Sequence, residues 1–244
     1  MKRISIVLFL FALSGCSSSG INLDSALGAG NDLMKAATLS DADVKTLSAA
    51  ASKAQDKQSK VASPSNPYSR RLAKITRGIS NEDGLKLNFK VYLTKDVNAF
   101  AMADGTVRVY SGLMDKMTDD EVRYVIGHEI GHVKLGHSKK AMQTAYATSA
   151  ARKVAVASGN GVAAGLSESA LGNLAEAVIN AQFSQSQESA ADAYSIGFMK
   201  RHHYNPHAAS SALHKLAALY GNDSSLLSSH PAPEERASKV EKLI

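Results

Sequence analysis

Cysteine is nearly missing from this chain: Cys16 is the only one in 244 residues. No intrachain disulfide can therefore staple the fold, and stability must come from packing and from any bound metal. Tryptophan is absent and the 28 Lys and Arg residues are dispersed along the sequence. That composition lacks the clustered basic and aromatic surface of a nucleic-acid binder, so no nucleic-acid partner is expected. No internal repeat marks a helical-repeat partner module. No run of about 18 apolar residues is present, so no confident membrane-spanning helix is expected either. The longest apolar stretch, Ile4 to Leu13, is too short for that role.

What surrounds that stretch suggests another use for it. Met1-Lys2-Arg3 forms a positive start, and Leu13-Ser14-Gly15-Cys16 ends in a cysteine after small residues, which resembles a bacterial lipobox. Residues 1–15 then read as a lipoprotein signal peptide, cleaved before Cys16, whose thiol and amine become acylated. Several acyl chains suffice for stable anchoring. Ser17 follows the cysteine where an Asp would favour retention, so the expected location is the periplasmic face of the outer membrane. A lipidated Cys16 leaves no thiol nucleophile. Loss of the signal leaves 229 residues, enough for one sizeable domain, and removes Lys2 and Arg3, lowering the net charge from +6 to +4. Residues 16–38, rich in Ser, Gly and Ala, read as a flexible tether. Residues 39–244 form the domain.

Within that domain Ser40 can cap a helix carrying Val44 and Leu47, and Tyr68, Leu72, Ile75 and Ile79 recur at helical spacing. Leu85, Leu87, Phe89 and Val91 alternate with Lys86, Asn88 and Lys90, the pattern of a half-buried strand. Asp104-Gly105 reads as a turn between Asn98–Ala103 and Thr106–Tyr110. The rest is expected to be mostly helix. Asn205-Pro206 opens one more helix, with Leu213, Leu216 and Leu219 facing the core. Residues 141–181, rich in Ala, Ser and Gly but broken by Arg152, Lys153, Glu168 and Glu176, read as a soluble helical hairpin. It is either a lid hinged at Gly159, Gly161 and Gly165 or a loosely packed connector. The fold class is α+β: a mostly helical domain with a small antiparallel sheet.

The chemistry is concentrated in His128-Glu129-Ile130-Gly131-His132. Thr118-Asp119-Asp120-Glu121 upstream has the form of a capping box and Gly136 downstream that of a stop, so the motif sits on one helix. Residues four apart share a helix face, with Cβ atoms about 5–6 Å apart. The imidazoles of His128 and His132 can therefore converge on one metal ion. Glu129, about 100° further round, can serve as base toward water at that metal. Neutral imidazoles as ligands beside a carboxylate base make a zinc-hydrolase signature.

A third ligand is needed. His137 would lie about 180° from His128 on a continued helix and reads as a helix-end or surface histidine. Glu188, in Glu188-Ser189-Ala190-Ala191-Asp192, is the better candidate. Asp192, one turn on, can accept the free N–H of a ligand histidine, His128 by preference, and fix its tautomer. The cluster of His202, His203, His207 and His214 reads as solvated or capping.

With these residues in view, the chain resembles the small gluzincins of the HtpX and CAAX-prenyl-protease type, and among them the bacterial lipoprotein proteases of the YcaL and LoiP kind. The resemblance runs from about Leu39 onward. It rests on Asn98-Ala99-Phe100-Ala101, Ser111-Gly112-Leu113-Met114, the His128–His132 motif, Glu188 with Asp192, and His230-Pro231 followed by Arg236. It implies a zincin-type fold, one Zn2+ per chain held by His128, His132 and Glu188, and Glu129 as catalytic base. It also implies that Asn98–Ala103 form a strand along a substrate cleft, where a peptide pairs by backbone hydrogen bonds. His230 is then a fourth ligand in a closed state, an oxyanion donor together with Arg236, or a plain turn histidine before Pro231. One departure stands out. Many relatives carry an Arg three residues before the third ligand, where this chain has Gln185, which leaves local charge compensation open. The expected function is zinc-dependent endopeptidase activity on unfolded cell-envelope polypeptides. The alternative is a zinc-containing periplasmic chaperone or assembly factor with latent proteolysis.

Overall fold

The structure is a computed structural model and describes residues 39–149, 162–163, 166–219 and 229–244. Cys16, the signal and tether segments, and Gly159, Gly161 and Gly165 lie outside the described residues. The chain runs through α1 (Asp41–Gln58), α2 (Pro67–Ile75), the short strands β1 (Asn81–Glu82) and β2 (Leu85–Lys86), then β3 (Asn88–Tyr92), β4 (Ala99–Ala101) and β5 (Thr106–Tyr110). The helices α3 (Ser111–Lys116), α4 (Asp119–Lys134), α5 (His137–Thr148), α6 (Glu168–Ile179), α7 (Gln185–Arg201), α8 (Ala208–Ala218) and α9 (Pro233–Val240) follow. This is the expected α+β composition. None of the described helices is long and apolar enough to cross a membrane.

Strands β3, β5 and β4 form one sheet in that order, and period-two alternation divides its side chains between two cores. Ala99, Ala101, Val107 and Val109 point to the face covered by α4, where Val122, Val125, Ile126 and Ile130 meet Ile196, Phe198 and Leu213. Tyr92, Phe100 and Met102 point the other way, into a second core with Leu47 and Ala51 of α1, Met142 of α5 and Leu174 of α6. The β4–β5 pair is antiparallel around the expected turn, with Ala99 opposite Val109 and Ala101 opposite Val107. β3, however, pairs parallel to β5, with Asn88 beside Thr106 and Tyr92 beside Tyr110, so the sheet is mixed rather than wholly antiparallel. β5 takes the centre, and β4 is left as an edge.

The alternating run from Leu85 to Val91 forms two strands. Leu87 N–H leaves the ladder for Ser80 O at 2.9 Å. β2 instead closes a hairpin with β1 through Asp83 and Gly84, whose φ values of 48° and 82° suit a two-residue turn. Gly105, at φ 90°, lets the β4–β5 turn lie against this break, where a Cβ would collide with the Lys86 carbonyl.

Arg108 is a buried cation on a central strand, and burying a charge is tolerated only when it is paired. Its Nε and Nη2 donate to Asp56 of α1 at 2.7 and 2.9 Å, and Nη1 donates to Asn88 O at 2.9 Å. Lys90 Nζ and Tyr92 OH donate to the same carboxylate at 2.7 and 2.8 Å. The network fixes α1 across one face of the sheet, and α1 and α6 pack together beneath it.

Replacement of Asp56 by Ala strands Arg108 and costs about 3 kcal/mol, measurable as a lower urea midpoint. Burial works against a charged Asp56, but the bonds from Arg108, Lys90 and Tyr92 outweigh it and lower its pKa to about 2. A depressed carboxylate stabilises fully above its unfolded value, near 4, and loses that contribution as the pH falls through its folded value. The Asp56→Asn protein should therefore lose stability less steeply than the wild type between about pH 4 and pH 2.

Candidate metal centre

Helix α4 begins with the expected capping box. Glu121 Oε2 accepts Thr118 N–H at 2.7 Å, and Thr118 Oγ1 accepts Glu121 N–H at 3.4 Å. Lys215 and Ser211 of α8 reach the same Glu121 at 2.7 Å each, so the cap also docks α8. The motif lies in the buried half of α4, against α7. Two glycines make that contact possible. A Cβ on Gly127 would stand 2.6 Å from the Phe198 ring and 2.7 Å from Ser195 Oγ; one on Gly131 would stand 3.0 Å from the Tyr194 ring. Ser195 Oγ uses the proximity to donate to Tyr124 O at 2.7 Å. At this spacing α7, capped by Ser184 and Gln187, delivers Glu188 and Asp192 to the histidines.

Four side chains converge: His128, His132, Glu188 and His230, all buried, each with one ligand atom, and all four atoms within 4.8 Å of one another. His128 Nε2 lies 3.0 Å from His132 Nε2 and 3.3 Å from His230 Nδ1. Glu188 Oε1 lies 3.0 Å from His230 Nδ1 and 3.4 Å from His132 Nε2. Donors about 2.0–2.1 Å from a tetrahedral zinc are spaced by about 3.3 Å, so these separations suit one such ion. Glu129 Oε1 beside them is buried without a hydrogen-bond partner and 3.6 Å from His230 Nε2. Such an acceptor is costly unless water or a cation meets it. Donor chemistry, spacing and the orphaned carboxylate oxygen all fit a divalent metal.

The surrounding residues orient this set. His128 Nδ1 lies 2.9 Å from Asp192 Oδ1, the pairing expected from the sequence, and Tyr124 OH donates to the same oxygen at 2.6 Å. Burial and the nearby Arg236 charge disfavour a charged His128, yet Asp192 and Glu188 overcome both and raise its pKa to about 9. Burial drives His132 well below the usual histidine range, leaving it neutral as a ligand requires. Burial also raises Glu129, toward the range of a working base. Glu188 is held ionised against its burial by His128, His132 and His230 around it.

Two placements add to the sequence reading. Arg236, expected as an oxyanion donor, directs its guanidinium at two carboxylates and also lines a cavity with Glu129 and His230. Nη1 meets Glu188 Oε2 at 2.5 Å, while Nε and Nη2 donate to Asp192 at 2.9 and 2.7 Å. It supplies, from α9, the charge compensation left open by Gln185. His137, read as a helix-end or surface residue, is indeed the first residue of α5, but its Nδ1 lies 3.0 Å from His132 Nδ1. The reason is Gly136. At φ 79° it ends α4 and redirects the chain, so the angular count along a continuous helix does not apply. Burial lowers the His137 pKa. Phe183 also escaped the sequence reading. It lies against His132 with ring centroids 4.0 Å apart, and no periodicity or motif marks it.

The other residues singled out in the sequence lie partly beside this centre and partly away from it. Ala99, Phe100 and Ala101 form β4, with Asn98 Oδ1 accepting Ala99 N–H at its start. The strand lines a small cavity with Glu129, Ser138, Val178, Ile179, Phe183 and His230. His202 caps α7 and pairs with Glu82, and His214 pairs with Glu234, both away from the centre. The α8 start is two residues later than expected, at Ala208, with Asn205 Oδ1 accepting His207 N–H.

Zinc at 100 times its dissociation constant should raise unfolding stability by about 2.7 kcal/mol. Glu188→Ala should abolish that gain, as read by calorimetry with and without chelator.

Comparison with known proteins agrees with the geometry. The chain is 48% identical over 232 residues to the metalloprotease LoiP of Escherichia coli strain K12, covering 93% of this chain and 90% of that protein. It is 45% identical over 247 aligned residues to the metalloprotease YcaL of the same strain, covering 98% and 97%. The β-barrel assembly-enhancing protease of Yersinia pestis is 28% identical over 174 residues, 66% of this chain and 36% of that protein. The model of peptidase family M48 matches residues 68–244, a span that holds every residue of the buried His–His–Glu–His centre. With its zinc-binding motif and distal glutamate assembled on two packed helices, the chain belongs to peptidase family M48 and is a zinc metallopeptidase.

Proposed function

We propose that this metallopeptidase is an endopeptidase of the bacterial cell envelope, anchored through Cys16 to the periplasmic face of the outer membrane and acting on unfolded or misassembled envelope polypeptides. The observation that carries the catalytic part is the juxtaposition of the orphaned Glu129 carboxylate with the four-residue donor set. His128, His132 and Glu188 would hold zinc, and His230 lies close enough to join them. When bound, the ion would supply Lewis acidity at the scissile carbonyl. Glu129 takes a proton from the attacking water and passes it to the leaving amine. His230, with Nε2 3.6 Å from Glu129 Oε1, is placed to stabilise charge developing beside that base. Arg236 acts earlier, keeping Glu188 and Asp192 ionised and oriented.

The extended substrate pairs with β4. This strand is an edge of the sheet, and an edge presents unpaired backbone groups that a peptide can extend. In the present structure Val178 and Ile179 of α6, with Phe183, share the cavity beside β4, so entry of a peptide requires this side to open. The same closure favours the second reading, an assembly factor in which proteolysis is latent. The two differ in whether an unfolded polypeptide is cleaved.

Outer-membrane anchoring draws on the Leu13-Ser14-Gly15-Cys16 pattern with Ser17 after it. Envelope polypeptides as substrates follow from that location and from a cleft read through backbone pairing, which selects extended chains rather than a particular side chain.

Glu129→Gln should retain about one zinc per chain and lose cleavage of casein or an unfolded membrane protein by at least 1,000-fold, on the order expected when a general base is removed. Wild-type cleavage by this variant would refute the role of Glu129. Zinc in both proteins with cleavage by neither would select the latent reading. Separately, Cys16→Ala should abolish acylation and remove the protein from the outer-membrane fraction, as followed by fractionation and immunoblot.

A further inference from the structure

The two ligand histidines of α4 need partners for their distal ring nitrogens, because a metal ligand must present a lone pair at one nitrogen while the other carries the proton. For His128 the partner is the carboxylate of Asp192, 2.9 Å from Nδ1. For His132 no carboxylate among the described residues plays this part. Its Nε2 faces the donor set, 3.0 Å from His128 Nε2 and 3.4 Å from Glu188 Oε1, so its proton belongs on Nδ1. The atom facing that proton is His137 Nδ1, at 3.0 Å.

We propose that His137 is a positioning residue of the metal centre, its Nδ1 accepting the Nδ1–H of His132 and thereby fixing the tautomer and ring angle at which His132 meets zinc. The inference rests on the metallopeptidase reading of the same site. His137 is held for the task from three sides. Gly136 at φ 79° turns the chain back toward α4, α5 begins at His137, and the two imidazoles meet edge to face with centroids 5.0 Å apart. Phe183 closes the other side, 4.0 Å from the His132 ring and 6.2 Å from that of His137.

An imidazole suits this position better than a second carboxylate. Glu129, Glu188 and Asp192 are already buried together, and one Arg236 with one divalent ion balances their three charges. A further buried anion would upset that balance and incur the desolvation cost of an unpaired charge. A neutral acceptor orients His132 without adding charge. The centre therefore orients its two histidines by unlike means, an ionic one on the α7 side and a neutral one on the α5 side.

Three variants separate hydrogen bonding from packing. His137→Phe keeps an aromatic ring against His132 but has no acceptor. His137→Asn gives up the ring and keeps an acceptor oxygen near the place of Nδ1. His137→Ala removes both. Zinc dissociation constants from chelator competition, thermal melting of the metal-free proteins, and KM and kcat for a peptide substrate are measured for each beside the wild type. The expected result is zinc affinity lowered 10- to 100-fold in His137→Phe and His137→Ala and within about threefold of wild type in His137→Asn. Metal-free melting of His137→Phe should match wild type, and KM should be unchanged when zinc is saturating. The proposal is overturned if His137→Phe binds zinc as tightly as wild type, or if His137→Asn is as weak as His137→Ala, since packing would then be the role of the ring. Should His137→Ala fail to fold, the Phe and Asn pair still decides the matter. A wild-type protein that binds no zinc would instead overturn the metal site itself, an outcome distinct from either.

Discussion

Everything at the centre depends on how closely α7 approaches α4. Side chains at the contact set how closely two helices pack, and Gly127 and Gly131 leave room there for Phe198, Ser195 and Tyr194. The motif thus contains its own packing device. One of its variable positions is Gly131, and Gly127 precedes it by one turn on the face turned to α7. Glu188 and Asp192 are set one turn apart on α7, matching the reach from ligand to orienting carboxylate. A β-branched or larger residue at either glycine would push α7 outward and separate the ligands before altering any of them.

Close approach gathers charge, and the structure settles that charge from a distance in sequence. Three carboxylates lie buried near one another, a costly arrangement unless cations meet them. Arg236 reaches from α9 to two of them, and Tyr124 adds a hydrogen bond to Asp192. The site is therefore a meeting of α4, α7, α9 and the segment bearing His230, and α9 belongs to it through the contacts of Arg236 with Glu188 and Asp192. The sheet completes the arrangement by setting edge strand β4 beside Glu129, while the Asp56–Arg108 network holds α1 to the opposite face.

Much of this was legible beforehand because it is local. The capping box at Thr118, the stop at Gly136, the Asp104-Gly105 turn and the i, i+4 histidines each depend on residues within one or two turns, and periodicity reports them faithfully. Glu188 and Asp192 were legible as a pair for the same reason. What escaped depends on chain reversal or on contacts remote in sequence. His137 does stand at a helix end, but its contact with His132 escaped because one glycine with positive φ breaks the helix on which its angle was counted. The parallel β3–β5 pairing was missed because alternation shows which face a residue takes but not which neighbour its strand chooses. Phe183 carries no pattern at all and acquires its place only from the loop between α6 and α7.

The sequence by itself determined the ligand types, their helical spacing and the base beside them, since side-chain chemistry and the 3.6-residue turn leave few other uses for such a motif. It also determined the α+β composition, through periodicities of 3.6 and 2 and the capping residues between them. Tertiary structure alone decided that His230 joins the donor set, that Arg236 neutralises the carboxylates of Glu188 and Asp192, that His137 turns back onto His132, and that Phe183 covers it. All but the His137 contact are matters of position across about 40 to 110 residues of chain, set by the packing of two cores against one sheet, and no local pattern encodes a distance that only the folded chain makes short.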